Sequence, residues 1–497
     1  MSRVGVTFQA IALLASIGLS SAAQAIDVPY SKGVLTVDDS KWFTIGAGGD
    51  FATCREALNH LPEGGGGGVI EYLPGTHVDS CPIYGSRGGN IMITGRLGPN
   101  GERPIVTPPT YIDAQGVTQS EWFLFFRPQG NDTLVVQNLE IKDSFTAIET
   151  ENNQGLIVRN VFVNGTTGGN GITVGEAPAF EGQFETWAEI YDTEIARAGG
   201  GNIRHNIYVH RIDEVIVDNM YSHSSNNSHA FKSVARNNVI RDSEFATTDK
   251  PFNQILPSDT FLSSTLVDLA SCAAVSITNN VFRGVLVDQR DRDPGFGPST
   301  THMVDLRRRK TGVQGCDTPE YGTPEHDDPA FWAEVAAGGI SQSNELLFNH
   351  DISGNTFIND GEREIVAVSN WGTEPIEDNG ISFGQPEVDL PIPPGWIERS
   401  IAWLKNNTTV GDIQLEKTWP TDVTTPLIFN LDELDVIGSI EEAEPPVFNG
   451  FKFGFVLYET TPPGEVPESG TLWAFATGAI GLIIFGIGIR RRRHTPG

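Results

Sequence analysis

The sequence repeats itself at a spacing of 23 to 24 residues between positions 205 and 245. The segment HNIYV at 205–209 recurs as HAFKS at 229–233, and VDN at 217–219 recurs as IRD at 240–242. A unit of this length is too short for two helices, and its β-branched and Asn residues are typical of one coil of a parallel β-solenoid. The repeat therefore predicts an all-β chain that grows by stacking coils.

Two kinds of predicted strand alternate along these coils. The first kind has an apolar residue, a variable residue and then, in nearly every coil, Asn or Asp. Stacked Asn or Asp side chains at a bend can hydrogen-bond to one another as a ladder, which is a structural role. The apolar members of the first kind are Val136, Val158, Ile190, Val217, Ile240, Ile277 and Ile352.

The second kind of strand precedes the first by nine or ten residues in most coils. This constancy supports one register for the whole solenoid. Variable length falls in the segments 246–263, 284–301 and 310–344, which are expected to be loops that shape a binding face. The apolar centres of the second kind are Ile148, Ile172, Ile207, Phe231, Val267, Val304 and Ile365.

A column of outward-facing side chains follows from this register. Successive residues of a strand point to opposite faces, so the residue after each buried centre points outward. Since coils stack roughly 4.8 Å apart, Tyr208, Lys232 and Asp268 are expected to be neighbours on an exposed face. A histidine column is offset from it by a few residues and contains His205, His229 and His302. The predicted outward column is Glu149, Thr173, Tyr208, Lys232, Asp268 and Asp305.

The segment 46–95 resembles the start of a known protein family. A turn entering a short helix at 46–58, the strand VIEYLPGT at 69–76 and the strand IMITG at 91–95 occur in this order. The order resembles the start of pectin-lyase-like right-handed parallel β-helix proteins. The resemblance implies that the helix caps the open end of the core, which a solenoid must cover.

The predicted boundaries follow from these patterns. An N-terminal lead-in is expected at 26–44 and a right-handed parallel β-helix at 45–407. A C-terminal β cap is expected at 408–459, followed by a Pro-rich linker with a sorting motif at 460–471.

Both ends of the chain are predicted to be targeting segments. Residues 1–25 have one early Arg, an apolar run and the small-residue sequence AQA at 23–25, which predicts a secretory signal peptide. Residues 472–489 carry no charge and are just long enough for a transmembrane helix. The four Arg residues that open the tail at 490–497 are expected to hold it in the cytoplasm.

The sequence VPESGT at 466–471, followed by a short apolar span and an Arg cluster, resembles a PEP-CTERM sorting signal. Ser469 stands where the usual second Pro would be. The resemblance implies export to the cell envelope or beyond, recognition by an exosortase-type enzyme and removal of the tail. The alternative is a plain C-terminal membrane anchor.

The charge and the cysteines limit partners and compartment. The net charge of −30 argues against nucleic acid, because phosphate binding needs Lys and Arg. It also repels acidic polysaccharides unless a local basic groove or bound cations intervene; the alternative is a solubilising surface. Four Cys in an exported chain suggest two disulfides, of which Cys54–Cys81 and Cys272–Cys316 are the nearest pairs in sequence. Three connectivities are possible.

The outward column suits β-elimination on a uronate polysaccharide. That reaction needs a base for the C5 proton, a cation near the carboxylate and an acid for the leaving oxygen. Lys232 is the expected base, with Tyr208 or His229 as acid and Arg236 in support. The residues expected to bind substrate are His205, Glu149, Asp268, Asp305 and Arg307.

The segment 229–233 also resembles polysaccharide lyase family 6, the alginate and chondroitin lyases. The resemblance implies that Lys232 is the base and that an Arg one coil later is its partner. This chain has Asp268 at that point, and no clear match to the family's calcium-binding acids is found. Whether calcium takes part stays open, and no metal site is predicted; the acidic loop at 288–293 is interpreted as solvated and self-paired.

Two non-catalytic alternatives remain open. Lys232 and Asp268 could form a surface ion pair, with the His residues in packing or bend roles. The whole protein could be a non-catalytic surface or matrix protein that binds or scaffolds exopolysaccharide.

Overall fold

Three long parallel sheets, numbered 1 to 3, are stacked from successive strands of the chain in the computed structural model. All described residues belong to one compact unit within Ala25–Gly454. The structure describes residues 25–61, 63–128, 131–151, 153–175, 187–199, 204–210, 212–226, 228–235, 237–250, 254–255, 262–270, 274–285, 302–307, 345–361, 363–371, 397–419, 427–432 and 435–437.

The described strands of sheet 1 are β3 Trp42–Ile45, β4 Gly68–Tyr72, β7 Ile91–Gly95, β12 Thr133–Gln137, β15 Gly155–Arg159, β18 Trp187–Tyr191, β21 Glu214–Asp218, β24 Asn237–Arg241, β27 Ala274–Thr278, β30 Glu345–Ser353, β33 Ile397–Lys405 and β36 Leu427–Asp432. Those of sheet 2 are β5 Thr76–Val78, β8 Ile105–Thr107, β13 Glu140–Ser144, β16 Phe162–Thr166, β19 Glu194–Ala196, β22 Tyr221–His223, β25 Glu244–Ala246, β28 Val281–Gly284, β31 Thr356–Asn359, β34 Thr408–Val410 and β37 Asp435–Ile437. Those of sheet 3 are β6 Cys81–Tyr84, β11 Leu124–Arg127, β14 Ile148–Thr150, β17 Ile172–Val174, β20 Ile207–Val209, β23 His229–Ser233, β26 Thr265–Ala270, β29 His302–Arg307, β32 Ile365–Trp371 and β35 Ile413–Trp419.

Each regular coil contributes one strand to each sheet. Strands β12, β13 and β14 form one coil. They pair in parallel with β15, β16 and β17 of the next coil, respectively. The chain thus winds as a parallel β-helix, and the all-β prediction is confirmed. The sheets begin at β3 and continue to β37, so they extend past both ends of the range 45–407 expected for the β-helix.

The core lies between the three sheets and is filled by the predicted apolar centres. All seven centres of the first strand kind stack in one register along sheet 1 and are fully buried. Ile148, Ile172 and Ile207 do the same in sheet 3. Burying one such side chain stabilises the fold by roughly 1.5–3 kcal/mol.

One predicted register is wrong by three residues. Val304 pairs with Val368 of β32, and not with Ile365. The run from Ile365 to Val368 is buried at every position. A continuous apolar run has no alternation, so its periodicity could not set the register.

The bend after sheet 1 holds the expected Asn and Asp residues. Six of them, and also Asn406 in a later coil, have positive φ angles of 49° to 58°, a conformation that Asn and Asp tolerate better than most residues. Two links of the expected ladder join neighbouring coils: Asn160 Nδ2 donates to Asn138 Oδ1 at 2.8 Å, and Asn219 Nδ2 donates to Asp192 Oδ1 at 2.6 Å. The seven are Asn138, Asn160, Asp192, Asn219, Asp242, Asn279 and Asn406.

A second, buried Asn ladder lies one residue later and was not predicted. The side-chain oxygen of Asn355 accepts hydrogen bonds from the backbone and side-chain nitrogens of Asn280, at 2.9 and 3.1 Å. Asn407 accepts the equivalent pair from Asn355. This ladder satisfies polar groups that would otherwise be costly to bury.

The predicted capping helix is present as α1, Cys54–Leu58. It opens with a capping box between Thr53 and Glu56, and its buried residues join the main core. The disulfide Cys54–Cys81 ties the helix to β6, which confirms the first predicted pair. The second predicted pair, Cys272–Cys316, lies outside the described residues.

The segment expected as a lead-in, 26–44, forms most of a hairpin and the first strand of sheet 1. The hairpin pairs β1 Ala25–Tyr30 with β2 Gly33–Asp38 in antiparallel fashion. It packs on apolar residues of the outer face of sheet 1, and Tyr30 stacks on Trp187 with ring centroids 4.8 Å apart. A second hairpin pairs β9 Thr110–Ile112 with β10 Thr118–Ser120.

The predicted targeting segments at 1–24, 460–471, 472–489 and 490–497 lie outside the described residues. Among the residues that are described, no helix is long and apolar enough to span a membrane.

Candidate active site on the outer face of sheet 3

The outward column lies in the register that the sequence predicts. Tyr208 of β20 pairs with Lys232 of β23, and Lys232 pairs with Asp268 of β26. Asp305 of β29 continues the column beyond Asp268. On the other side, Glu149 and Thr173 precede Tyr208 coil by coil. The fold therefore aligns all six predicted side chains along the helix axis.

The exposure of this column differs from the expectation. Glu149, Tyr208 and Lys232 are half-buried, but Asp268 and Asp305 are 0% exposed. The two carboxylates are enclosed in polar contacts: Asp268 faces His229, and Asp305 accepts a hydrogen bond from Ser369 Oγ at 3.0 Å. The predicted open face is thus open at Tyr208 and Lys232 and closed at the two Asp residues.

The Lys232 amino group lies against an aromatic ring. Its Nζ atom is 5.2 Å from the centroid of the Tyr208 ring, a distance at which a cation and a π-system attract each other. The ring of His210 lies on Tyr208 with centroids 4.0 Å apart. An amine, a phenol and an imidazole therefore meet at one half-buried position.

The histidine column contributes a stacked pair. The rings of His205 and His229 lie 4.7 Å apart and are inclined by 14°. The Nδ1 atom of His205 is 2.6 Å from Ser228 Oγ and 3.4 Å from the backbone nitrogen of His229. Because a backbone N–H can only donate, Nδ1 is the acceptor and the ring proton of His205 is on Nε2.

An imidazole–carboxylate contact joins the two columns. His229 Nε2 is 3.3 Å from Asp268 Oδ2, and the His229 side chain is 14% exposed. A carboxylate in this position fixes the orientation of an imidazole, as in carboxylate–histidine pairs that transfer protons. Tyr208 and Lys232 are half-buried and His229 is 14% exposed, whereas His205 and Asp268 are 2% and 0% exposed. The three accessible groups can therefore move protons and hold an anionic group.

The remaining predicted site residues lie apart or outside this cluster. Glu149 is three coils before Lys232, and Asp305 is two coils after it. Burial raises the pKa of the Glu149 carboxyl above its usual value, against an opposing hydrogen bond from Trp122. The backbone of Arg307 pairs with β26 and β32, but its side chain is not among the described ones. Arg236 lies outside the described residues.

The sequence places His210 near the column and favours a packing role for it, and its contact with Tyr208 brings it into this neighbourhood. One member, Ser369, was not predicted. Ser369 was missed because the register of β32 was set three residues too early. The buried run that caused this error left no sequence signal for Ser369.

A second polar cluster lies on the outer face of sheet 2. His223 contacts Glu194 at 3.3 Å and stacks on Tyr221, and Arg283 bridges Glu244 and Asp360. Burial raises the pKa of the Tyr221 hydroxyl and of the Glu244 carboxyl. Its members bind one another, which agrees with a packing role for His223.

Metal-ligating side chains do not gather in the described part of the chain. No group of three or more His, Cys, Asp or Glu side chains there is arranged to hold a metal ion.

Comparisons with known proteins give distant structural matches only. A scan of protein-family models found no match, and a search of curated proteins found none either. Among solved structures, ORF18 of Geobacillus virus E2 is 12% identical with a TM-score of 0.40, over 78% of this chain and 58% of that chain. The chain thus spans less than two thirds of that protein.

Two further matches are to named enzymes. A pectin methylesterase mutant in complex with a hexasaccharide is 10% identical with a TM-score of 0.29, over 84% of this chain and 97% of that chain. The family 28 exopolygalacturonase of Yersinia enterocolitica is 9% identical with a TM-score of 0.32, over 84% and 83% of the two chains. At these scores the fold assignment rests on the pairing of this chain's own sheets.

Proposed function

We propose that the protein is an exported cell-envelope enzyme that cleaves an acidic polysaccharide by β-elimination. One observation supports this most: Tyr208, Lys232 and Asp268 occupy successive coils, with the Lys232 amino group on the Tyr208 ring and His229 on Asp268. The cluster is half-open to solvent at Tyr208 and Lys232.

A linear polymer is the substrate class that suits this face. The column advances by one side chain for every coil, roughly 4.8 Å along the axis. An extended chain of sugar rings presents a similar group at a similar interval, so several units can be contacted at once. A small globular ligand would use only a part of the column.

The roles follow from the position of each group. In the proposed reaction, Lys232 Nζ removes the C5 proton of a uronate unit. The electron pair of that bond forms the C4–C5 double bond, and the C4–O bond breaks. Tyr208 gives its hydroxyl proton to the leaving oxygen, and His229, the most exposed histidine of the column, stabilises the charge that develops on the carboxylate. Asp268 orients His229.

Two substitutions at one position test the role of Lys232. Lys232→Met removes the amine, whereas Lys232→Arg keeps the positive charge but cannot release a proton at working pH. Both are expected to lower the elimination rate at least about a hundredfold, the typical contribution of a positioned base. The rate is measured from the ultraviolet absorbance of the unsaturated uronate, with alginate, pectate and chondroitin sulfate as substrates.

Lys142→Met is the matched control, because Lys142 lies on sheet 2 and pairs with Glu140 at 2.8 Å. It should leave the rate unchanged. A Lys232→Arg variant that retains most of the rate would show that Lys232 acts as a cation and that the base is another group. Binding of these polymers without any product would favour the non-catalytic scaffold.

Export is the second part of the proposal and has its own test. It rests on the signal-like segment at 1–25 and on the resemblance of 466–471 to a sorting motif that an exosortase-type enzyme recognises. Amino-terminal sequencing of the protein from envelope fractions is expected to begin at Ile26. A chain that still begins at its first residues would contradict export through this segment.

A further inference from the structure

An aromatic platform lies on the same face of sheet 3, nearer the N-terminal end of the β-helix. Trp122 precedes β11 and is 41% exposed, and Tyr84 at the end of β6 is 58% exposed. Half-buried Phe125 lies between them, with ring centroids 6.3 Å from Trp122 and 5.5 Å from Tyr84. Large exposed aromatic side chains that gather in this way commonly mark a binding surface.

The platform lies in the same column as the proposed active site, although Thr173 between them is 6% exposed. Phe125 pairs with Glu149, Glu149 with Thr173, Thr173 with Tyr208, and Tyr208 with Lys232. Phe125 is therefore in the same column as Lys232, four coils earlier. At about 4.8 Å per coil, the two positions are roughly 19 Å apart, which a short run of sugar rings can span.

A carboxylate beside the platform can accept hydrogen bonds. Trp122 Nε1 donates to Glu149 Oε2 at 2.7 Å, which fixes the indole ring and occupies one carboxylate oxygen. No described residue donates to the other oxygen, Oε1. Glu151, two residues further on, is paired with Arg127 at 3.3 Å. The platform thus combines apolar ring faces with a single acceptor that a sugar hydroxyl can reach.

We infer that Trp122, Phe125, Tyr84 and Glu149 form a distal subsite that binds a pyranose ring of the polymer cleaved at Lys232. The sugar's apolar face lies on the aromatic rings, and one of its hydroxyl groups donates to Glu149. This inference rests on the proposed function, since the polymer is the same one.

The test compares the affinity of three variants of the full chain for alginate, pectate and chondroitin sulfate by titration calorimetry. Trp122→Ala is expected to raise Kd for the polymer that the native protein binds by about tenfold, the typical worth of one aromatic contact. Trp122→Phe keeps a ring but loses the hydrogen bond to Glu149, so its Kd should lie between those of the native protein and Trp122→Ala. Tyr111→Ala is the matched control, because Tyr111 is 47% exposed on β9 and belongs to no part of the platform; its Kd should be unchanged.

The outcomes separate the two proposals. Weaker polymer binding by Trp122→Ala supports the subsite even if no elimination product is ever formed. The absence of product would contradict the proposed function alone. Unchanged affinity in Trp122→Ala, or an equal loss in Tyr111→Ala, would overturn the subsite while leaving the proposed activity intact. Where elimination is observed, KM should rise more for the polymer than for oligosaccharides too short to reach from Lys232 to Trp122.

Discussion

At the scale of single residues, the central feature is the contact between two columns of polar side chains. Lys232 and Tyr208 come from one column and His229 from the other, and Asp268 joins them. None of these residues is close to all its partners in sequence. Only the stacking of coils brings them together, because each coil moves the chain by one strand spacing.

The column could be predicted from sequence, but its environment could not. Alternation along a strand identifies which residues face outward, and this was enough to align Tyr208, Lys232 and Asp268. Burial of Asp268 depends on what lies over the outer face, and strand alternation carries no information on that. The His229–Asp268 contact was missed for the same reason.

Removing the Tyr208 hydroxyl tests its role as the acid. Tyr208→Phe keeps the ring under the Lys232 amino group, so the fold and the cation–π contact should remain. The loss of a positioned proton donor is expected to lower kcat about a hundredfold or more, with little change in KM. Steady-state kinetics on the preferred polymer measure both constants.

Tyr221→Phe is the control, since Tyr221 belongs to the self-paired cluster on sheet 2. It should not change kcat. A Tyr208→Phe variant with native kcat would assign the proton donor to a different group.

At the scale of elements, two regularities hold the coils in register. The apolar centres stack inside the core, and Asn side chains hydrogen-bond between coils at the corner after sheet 1. The first could be predicted from the repeat, and so could the bend residues. The buried ladder was missed, although the pairs Asn279-Asn280 and Asn406-Asn407 and the sequence Gly354-Asn355 carry its signal.

Breaking the buried ladder should destabilise the β-helix. Asn355→Ala removes the acceptor of two hydrogen bonds from Asn280 and the donor to the Ile277 carbonyl, at 2.9 Å. The groups that lose partners are buried, so the free energy of unfolding should fall by about 3 kcal/mol. Denaturant unfolding measures the change.

Asn164→Ala is a matched control, because Asn164 is half-buried in β16 and outside the ladder. Its effect should be within about 0.5 kcal/mol. Equal effects of the two substitutions would mean that the ladder adds no measurable free energy of unfolding.

At the scale of the whole molecule, burial disfavours the charged form of several carboxyl groups. Burial raises the pKa values of Asp79, Glu149, Asp192 and Glu244 in a chain of net charge −30. The folded state then binds protons that the unfolded state does not bind at the same pH. Stability therefore rises as the pH falls through the raised values towards the ordinary carboxyl range.

A variant without two of these charges isolates this effect. The double variant Glu149→Gln/Glu244→Gln should have a higher Tm than the native protein at neutral pH, because burial disfavours the charged form of both carboxyls there. As pH falls to about 4.5, the native carboxyls become neutral and the difference should shrink. His223 interacts with Glu244, so the single variant Glu149→Gln is measured beside the double variant to separate the contribution of histidine protonation.

Calorimetric Tm values across this pH range supply the measurement. Repeating it in about 1 M salt, where the Debye length is near 3 Å, removes long-range repulsion and leaves the burial effect. A difference in Tm that stays constant with pH would contradict the assignment.

The whole-molecule organisation could be predicted only in part. The family resemblance implied the capping helix and the proximity of Cys54 and Cys81 in sequence predicted one disulfide, whereas the repeat predicted the parallel β-helix. It did not predict the hairpin β1–β2, because a short antiparallel pair that covers sheet 1 has no repeat signal. Nor did it predict that the coils continue to β37, because the residue pattern after 407 is weak. Strands β36 and β37 nevertheless pair with the preceding coil.

The most direct test of the account is proton NMR of the products formed by the full chain from alginate, pectate and chondroitin sulfate. β-Elimination predicts a vinylic H4 signal from a new non-reducing end, in equal amount to the new reducing ends, and its absence with Lys232→Met. New reducing ends without the vinylic signal would mean hydrolysis. That result would contradict the proposed reaction at the Tyr208–Lys232 cluster.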